Sequence, residues 1–358
     1  MPWPRPATFL VTGGAGFIGS HVVDELVALG VGVRVLDSLS PAAHASPPPY
    51  LNPGADYVFA SVTDPAAVAS ALAGVGAVAH LAARVGLGAD ALDVVDYVTD
   101  NDLGTATLLG ALGEMGFDGR LVLASSMAVY GEGAYACPSH GPVTPAPRLA
   151  EDLEAGRFDP VCPGCGAVLE PAEVDEAARA DPRNVYAVTK LHQEHLCAAL
   201  SRYGRSSLMA LRYHNVYGPR MPRDTPYAGV ASLWSSALAS GVAPRVFEDG
   251  RQRRDFVHVR DVAHATVLAL FADPEATGVL NIASGTPSTI GDVARALAAA
   301  WGPAAPAPVV TGEYRLGDVR HIVASASRAT EVLGFEAQVR LADGMAELAH
   351  AELRASVG

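Results

Sequence analysis

Apolar positions in this chain come in short unbroken runs, each followed by a longer stretch in which they recur with helical period. Residues 8–12 (Thr-Phe-Leu-Val-Thr) are such a run and end in glycines; 17–29 carry a helix-like stripe, and Gly30-Val-Gly32 stops it. Residues 33–37 (Val-Arg-Val-Leu-Asp) are a second run, closed by an acid. The order is strand, turn, helix, strand. Further runs at 56–60, 75–81 and 120–125 are separated by helical stretches at 65–73 and 100–115. Runs without polar alternation suit strands buried on both faces. Their alternation with helices predicts a parallel sheet covered on both sides.

Between 132 and 183 the pattern gives way to Pro, Gly, Cys and charge. It resumes as a helix at 184–203, a strand at 207–212 and a helix at 228–240; runs at 255–259 and 279–282 and a helix at 289–301 follow. The linker Gly302-Pro-Ala-Ala-Pro-Ala-Pro308 is stiff and extended, and a small α/β tail comes after it. The expected class is α/β, a doubly wound parallel sheet with a smaller C-terminal α/β unit. Residues 1–216 would form the sheet domain, with 132–183 as an insertion and 253–284 rejoining it through the strand at 279–282. Residues 217–252 and 285–358 would form the smaller, substrate-binding domain. No repeat with a period of about 20 to 50 residues is present, which excludes a solenoid.

Half of the residues are hydrophobic and 18% are charged, so there is material for a large core. Against 38 acidic residues there are 25 basic ones, a net charge of −13, with no basic run or basic helix face. That argues against nucleic acid or an anionic membrane as a partner. An acidic protein that binds phosphorylated ligands must gather its arginines locally, which makes the cluster Arg251, Arg253 and Arg254 informative. No apolar run approaches the roughly 20 residues that span a bilayer, and the N-terminus shows no signal-peptide pattern. The expectation is a cytoplasmic protein, in which Cys137, Cys162, Cys165 and Cys197 point to metal or free thiols rather than disulfides.

Gly13, Gly16 and Gly19 lie between the first strand and the first helix in the spacing G-x-x-G-x-x-G. Glycines there permit a tight turn and let a diphosphate approach the helix N-terminus, where free amides favour anions. Asp37, at the end of the second strand, can accept hydrogen bonds from a ribose 2′-hydroxyl and would repel a 2′-phosphate, so NAD is expected over NADP. The sheet is therefore of the Rossmann type. Tyr186 and Lys190, four apart on a helix, share one face, where the ammonium can lower the pKa of the phenol. Ser126 lies just past a strand C-terminus, where open α/β sheets place ligands, and Ser125 is its neighbour. Cys137-x2-His140 and Cys162-Pro-Gly-Cys165 supply two ligand pairs that can close a tetrahedral Cys3His zinc site. Four protein ligands leave no open position, so such a metal would be structural. Cys197, beside Leu196 and Leu200 on a helix, belongs to the core. His258, in a Phe-Val-His-Val run, reads as a buried hydrogen-bonded residue, and His214 as a packing residue.

Gly13–Gly19, His80-Leu-Ala-Ala83, Ser125-Ser-Met-Ala-Val-Tyr-Gly131, Tyr186-x3-Lys190 and Arg212-Tyr-His-Asn-Val-Tyr-Gly-Pro219 occur in that order, followed by Arg254-Asp-Phe-Val-His-Val-Arg-Asp261 and Arg315-x-Gly-Asp318. This series resembles the extended short-chain dehydrogenase/reductase family, in particular its nucleotide-sugar epimerases and dehydratases, over nearly the whole chain except 132–183. The resemblance implies NAD and a nucleoside-diphosphate sugar as cofactor and substrate. It implies Tyr186 as general base, Ser126 as catalytic hydroxyl, and Lys190 on the nicotinamide ribose. Cofactor contacts carried over by position are Gly13, Gly16, Phe17, Ile18, Gly19, Asp37, Ser61, Val62, Leu81, Ala82, Ala83, Asn101, Ser125, Tyr213 and Val216, beside Tyr186 and Lys190. Ser61 stands where the family has an adenine-contacting Asp. Substrate contacts carried over are Arg84, Ser126, Asn215, Arg254, Arg315 and Arg320. The helices at 100–115 and 184–203 resemble those that pair in the family's homodimers.

In the family's 4,6-dehydratases an Asp-Glu pair follows the catalytic hydroxyl and serves elimination. Here those positions are Met127 and Ala128. The expected reaction is therefore 4-epimerisation by transient oxidation at C4, on a dTDP- or UDP-hexose. The alternatives are a nucleotide-sugar dehydrogenase, decarboxylase or dehydratase on the same core, or an NAD-binding sensor or scaffold without turnover. A cysteine-bearing insertion at this place resembles the dTDP-L-rhamnose 4-epimerase-like subgroup. Lying between Ser126 and Tyr186, it is expected to act as a flap beside the sugar pocket.

Overall fold

The strand Thr8–Thr12 sits inside a seven-stranded parallel sheet. On one side lie Gly32–Asp37 and then Asp56–Phe59; on the other lie Ala77–His80, Arg120–Ser126, Ser207–Tyr213 and Gly278–Ile282. Winding reverses at Thr8–Thr12, which opens a crevice at the carboxyl ends of the strands. The computed structural model describes residues 8–354 except 42, 45, 87–92, 204–205 and 224–228.

Helices Phe17–Ala28 and Val259–Phe271 cover one face of the sheet, burying Phe9, Val22, Leu26, Val35 and Leu280. Pro65–Leu72, Gly104–Glu114 and Val185–Tyr203 cover the other, burying Leu10, Leu72, Leu108, Leu123 and Cys197. Burying each such Leu, Val or Phe is worth about 1.5–3 kcal/mol relative to leaving it in water. The second of these covering helices enters the fold as a longer run than the pattern at 100–115 predicts. Val94–Tyr97 leads into a π-helical segment, Val98–Leu103, before regular α-helix resumes. A π segment shifts the side chains that follow it and recurs beside functional sites. Here it contains the buried Asn101.

Across the strands, the His80 ring joins the Thr12 and Thr105 hydroxyls at 2.7 and 2.9 Å. Burial pushes its pKa down to about 3, so this stitch is made by a neutral imidazole.

The smaller unit packs Val230–Ala239, Ile290–Trp301 and Leu341–His350 around Tyr217, Trp234, Leu297, Met345 and Leu348. The helix expected from 228 is seen from Val230; residue 228 lies outside the described residues. Its link to the sheet domain is a parallel pair, Asn215–Tyr217 with Phe256–His258. His258 is fully buried and caps Val259–Phe271 by accepting from the Arg260 amide. Within 132–183, strands Ala134–Cys137, Gly141–Val143 and Glu170–Val174 form a sheet that takes Val323–Ala324 from the C-terminal unit as a fourth strand. The insertion thus bridges the two parts of the chain. Among the described residues no helix is long and apolar enough to cross a membrane.

Candidate active site and cysteine cluster

The glycine turn is shaped by what surrounds it. Gly13 has φ 71, and a Cβ there would stand 2.7 Å from the Ala82 amide nitrogen; a Cβ on Gly19 would collide with the Gly13 carbonyl. Only hydrogens fit, so strand, turn and helix close up and leave amides facing the crevice. Asp37 accepts from the Ala15 and Leu39 amides, each at 2.9 Å, and so holds the turn while lining the crevice with its remaining lone pairs.

The crevice has a volume of about 450 Å³, within the ordinary range for a small-molecule site. The glycine turn and Asp37 form one end, Ser61 and Val62 flank it, and Ser126, Tyr186 and Lys190 form the other end. Of the cofactor positions carried over from the family, only Asn101 does not line it. Asn101 is fully buried: its Oδ1 accepts from the Arg84 amide (2.7 Å), and its Nδ2 donates to the Arg84 carbonyl and Thr189 Oγ1. It fastens the loop after Ala77–His80 to the catalytic helix, a positioning role rather than the expected contact.

Ser126 caps the 3-10 turn Met127–Tyr130 and faces Tyr186. Burial raises the Tyr186 pKa, and the hydrogen bond with Ser126 works against that rise. Lys190, expected to lower the phenol pKa, is placed beside the tyrosine but bonds elsewhere. Lys190 Nζ stands 6.0 Å from the Tyr186 ring centroid and donates to the Ala124 carbonyl at 2.9 Å. Its i,i+4 position puts it beside the tyrosine, but the end of strand Arg120–Ser126 takes its contact. Burial brings the Lys190 pKa down to about 8. Behind this wall Glu194, one turn further along, receives two hydrogen bonds from Arg212 and one from Ser125. The Arg212 guanidinium lies 4.6 Å from the Tyr130 ring centroid, and Tyr130 donates to Asn281. Single-residue motif reading missed this buried chain, although Glu194 four residues after Lys190 is its trace in the sequence.

The substrate arginines fall into different places. Arg84 lines the crevice but is paired with Asp100 (3.0 Å) and Asp96 (3.1 Å). Arg254 donates to the Val319 and Arg320 carbonyls, and exposed Arg315 lies over the Phe247 ring. Neither lines the crevice, and neither does Asn215, whose side-chain oxygen is buried without a partner. The expected role of Arg320 is corrected. It is fully buried and bonded to Asp159, Glu248 and Asp249, so its guanidinium is saturated by carboxylates. The crevice also takes in His44, His214 and Arg354, which the sequence left unassigned or discounted. His214 is buried and neutral, its pKa pushed down to about 3 by burial.

In the insertion, Cys137, His140, Cys162 and Cys165 place their donor atoms within 4.8 Å of one another. Cys137 Sγ is 3.6 Å from both His140 Nδ1 and Cys165 Sγ, and His140 Nδ1 is 3.3 Å from Cys162 Sγ. A tetrahedral ion with ~2.3 Å bonds to sulfur and ~2.0–2.1 Å to nitrogen has edges of about 3.5–3.8 Å. The set fits. The Gly164 amide, with that of Cys165, holds the Cys162 thiol down to about 6. A Cβ on Gly164 would lie 3.2 Å from the His140 ring, which would have to shift by a few tenths of an ångström to admit it. No described residue of 132–183 lines the crevice. The insertion packs on Val323–Ala324 and holds Arg320 through Asp159.

A parallel sheet with a glycine turn at its switch point, and a Ser, a Tyr and a Lys across one crevice, defines a dinucleotide-dependent redox enzyme. The chain belongs to the NAD dependent epimerase/dehydratase family, which it matches over residues 9–160 and 162–283. It is 38% identical to the dTDP-L-rhamnose 4-epimerase of Burkholderia thailandensis, over 95% of this chain and 93% of that one. Among solved structures it resembles Thermotoga maritima UDP-glucose 4-epimerase with UDP-glucose (28% identity, TM-score 0.76, 96% and 97% of the two chains). It also resembles Thermus thermophilus UDP-glucose 4-epimerase with NAD (29%, TM-score 0.75, 96% and 97%).

Proposed function

We propose that this protein is an NAD-dependent nucleotide-sugar 4-epimerase, acting on a dTDP- or UDP-hexose. The observation that carries this reading is the catalytic wall itself: Ser126, Tyr186 and Lys190 face one crevice with the glycine turn, and Met127 and Ala128 follow. NAD, when bound, would supply reversible hydride acceptance from the sugar's C4. Asp37, which holds the glycine turn, would meet its adenosine ribose. Tyr186 takes the proton of the C4 hydroxyl and later returns it, Ser126 hydrogen-bonds the C4 oxygen, and Lys190 orients the nicotinamide ribose. Positioned acid–base groups of this kind contribute about two to four decades in rate. Elimination of water has no acid or base at Met127 and Ala128. Decarboxylation of a uronic acid would need a cation for the carboxylate, and Arg84 is committed to Asp96 and Asp100. A panel of dTDP- and UDP-hexoses followed by NMR at C4 tests the reading, with dTDP-6-deoxyhexoses first. Inversion at C4 of one or more is expected; a stable keto sugar or release of CO2 instead would overturn it.

The cysteine cluster completes the proposal as a structural zinc site. Its donor spacing and the depressed Cys162 thiol support this, and four free cysteines suit a reducing cytoplasm. Purified protein should carry stoichiometric zinc. Cys162→Ser should lose it and lower the thermal midpoint, whereas zinc that survives this change would refute the site. A homodimer is part of the same reading, because Val95, Val98, Leu103 and Val188 are exposed on the helices that would pair. Sedimentation of the intact chain tests that assignment.

A further inference from the structure

The diphosphate of a dinucleotide brings two negative charges into a protein whose net charge is already −13. The amides of the glycine turn offset part of this. The cationic side chains that line the crevice are Arg84, Lys190 and Arg354. Arg84 is paired with two carboxylates, and Lys190 is bonded to Ala124 at the catalytic end. Arg354 differs: its side chain hydrogen-bonds Tyr50, but no carboxylate among the described residues pairs with it, and its Nε is buried without a hydrogen-bond partner.

Its position is built rather than incidental. The Arg220 amide donates to the Glu352 carbonyl, the Arg354 amide to Met221, and the Arg223 amide to Arg354. Three backbone bonds therefore lay the tail along the segment that leaves the sheet domain. Arg220 holds a left-handed backbone (φ 67), and its guanidinium is tied to Asp24 at 2.8 Å. A non-glycine residue held there costs of order 1 kcal/mol or more, and persists only where its surroundings impose it. The same guanidinium lies 4.8 Å from the Tyr50 ring centroid, and the Tyr50 hydroxyl donates to the Ala15 carbonyl in the glycine turn. Arg354 is near enough to His44 that, after burial, its charge is the next cause of that imidazole's lowered pKa. The arginine thus sits at the glycine-turn end of the crevice, away from Tyr186.

We propose that Arg354 binds the diphosphate bridge of the dinucleotide, so that residues 352–354 form a latch retaining the cofactor between the two domains. This rests on the NAD reading. The physical reason is that an arginine facing a crevice without an acid, bonded only to the neutral Tyr50, keeps its charge and its Nε for an anion, and a guanidinium–phosphate contact is a strong, geometrically matched one. Retention matters because a transiently oxidised sugar needs its hydride back from the same cofactor.

Calorimetry on nucleotide-free full-length protein tests the proposal with NAD, ADP-ribose and adenosine as probes. Arg354→Gln should weaken NAD and ADP-ribose by roughly tenfold to a hundredfold, the worth of a hydrogen bond to a charged group, and change adenosine less than twofold. Arg354→Lys should recover part of the loss, with thermal midpoints of both nucleotide-free variants close to wild type. Unchanged NAD affinity in a folded Arg354→Gln protein would overturn the latch, as would equal weakening of adenosine, which would mean that the tail only orders the pocket. Wild-type protein that binds no NAD would instead overturn the cofactor reading itself.

Discussion

Tyr186→Phe should lower kcat for C4 inversion by about two to four decades, the range for loss of a positioned acid–base group, while NAD remains bound. The phenol is buried, which raises its pKa, so the phenolate that accepts the C4 proton needs a cation near it, and Lys190 Nζ stands 6.0 Å from the ring centroid. Ser126 is the protein group whose hydrogen bond opposes that rise. Removal of the hydroxyl leaves the ring, its packing against Tyr97 and the crevice shape, so KM should change little. Single-turnover measurement of NADH formation alongside NAD binding separates the two readings. A folded Tyr186→Phe protein with wild-type turnover would remove Tyr186 from the chemistry, whereas wild-type protein that binds NAD and turns over no nucleotide sugar would favour an NAD-binding scaffold.

Arg320→Met should cost about 3–5 kcal/mol of stability, as when one partner of a buried ion pair is deleted. Glu248 is nearly as buried as Arg320 and would be left with Arg148 alone, 2.7 Å away. The arms to Asp159 and Asp249 are partly exposed and contribute less. Glu248 also holds a left-handed backbone, φ 53, another sign that this junction is imposed by its neighbours. Urea titration measures the loss, and a second change, Glu248→Met, should restore part of it by removing the stranded charge. If Arg320→Met left stability intact and raised KM for the nucleotide sugar instead, the original assignment to substrate would return.

These two residues show where the sequence was sufficient and where it was not. The glycine turn, the parallel sheet and the catalytic face could be read from the chain because each is governed by local rules. Steric exclusion at Gly19 by the Gly13 carbonyl, the period of apolar runs, and the i,i+4 spacing of Tyr186 and Lys190 involve only neighbours in sequence. Even the four metal-type ligands were visible as two short pairs. Arg320 was misassigned because its three acids come from Asp159, Glu248 and Asp249, distant segments whose meeting depends on the insertion closing onto the C-terminal unit.

The same distinction explains Lys190 and Asn101. Sequence placed the ammonium on the tyrosine's face; tertiary structure gave its hydrogen bond to the Ala124 carbonyl. Asn101, in the π-helical segment, does not line the crevice and braces Arg84 and Thr189. Arg354 follows no motif, and backbone bonds that tie Glu352 and Arg354 to Arg220, Met221 and Arg223 bring it beside the glycine turn. The chain by itself determined the fold, the dinucleotide site and the reacting groups, because periodicity and short-range sterics encode them. Tertiary structure decided which charges are already spent on one another and which remain free for a ligand, because pairing depends on distances between segments far apart in the chain.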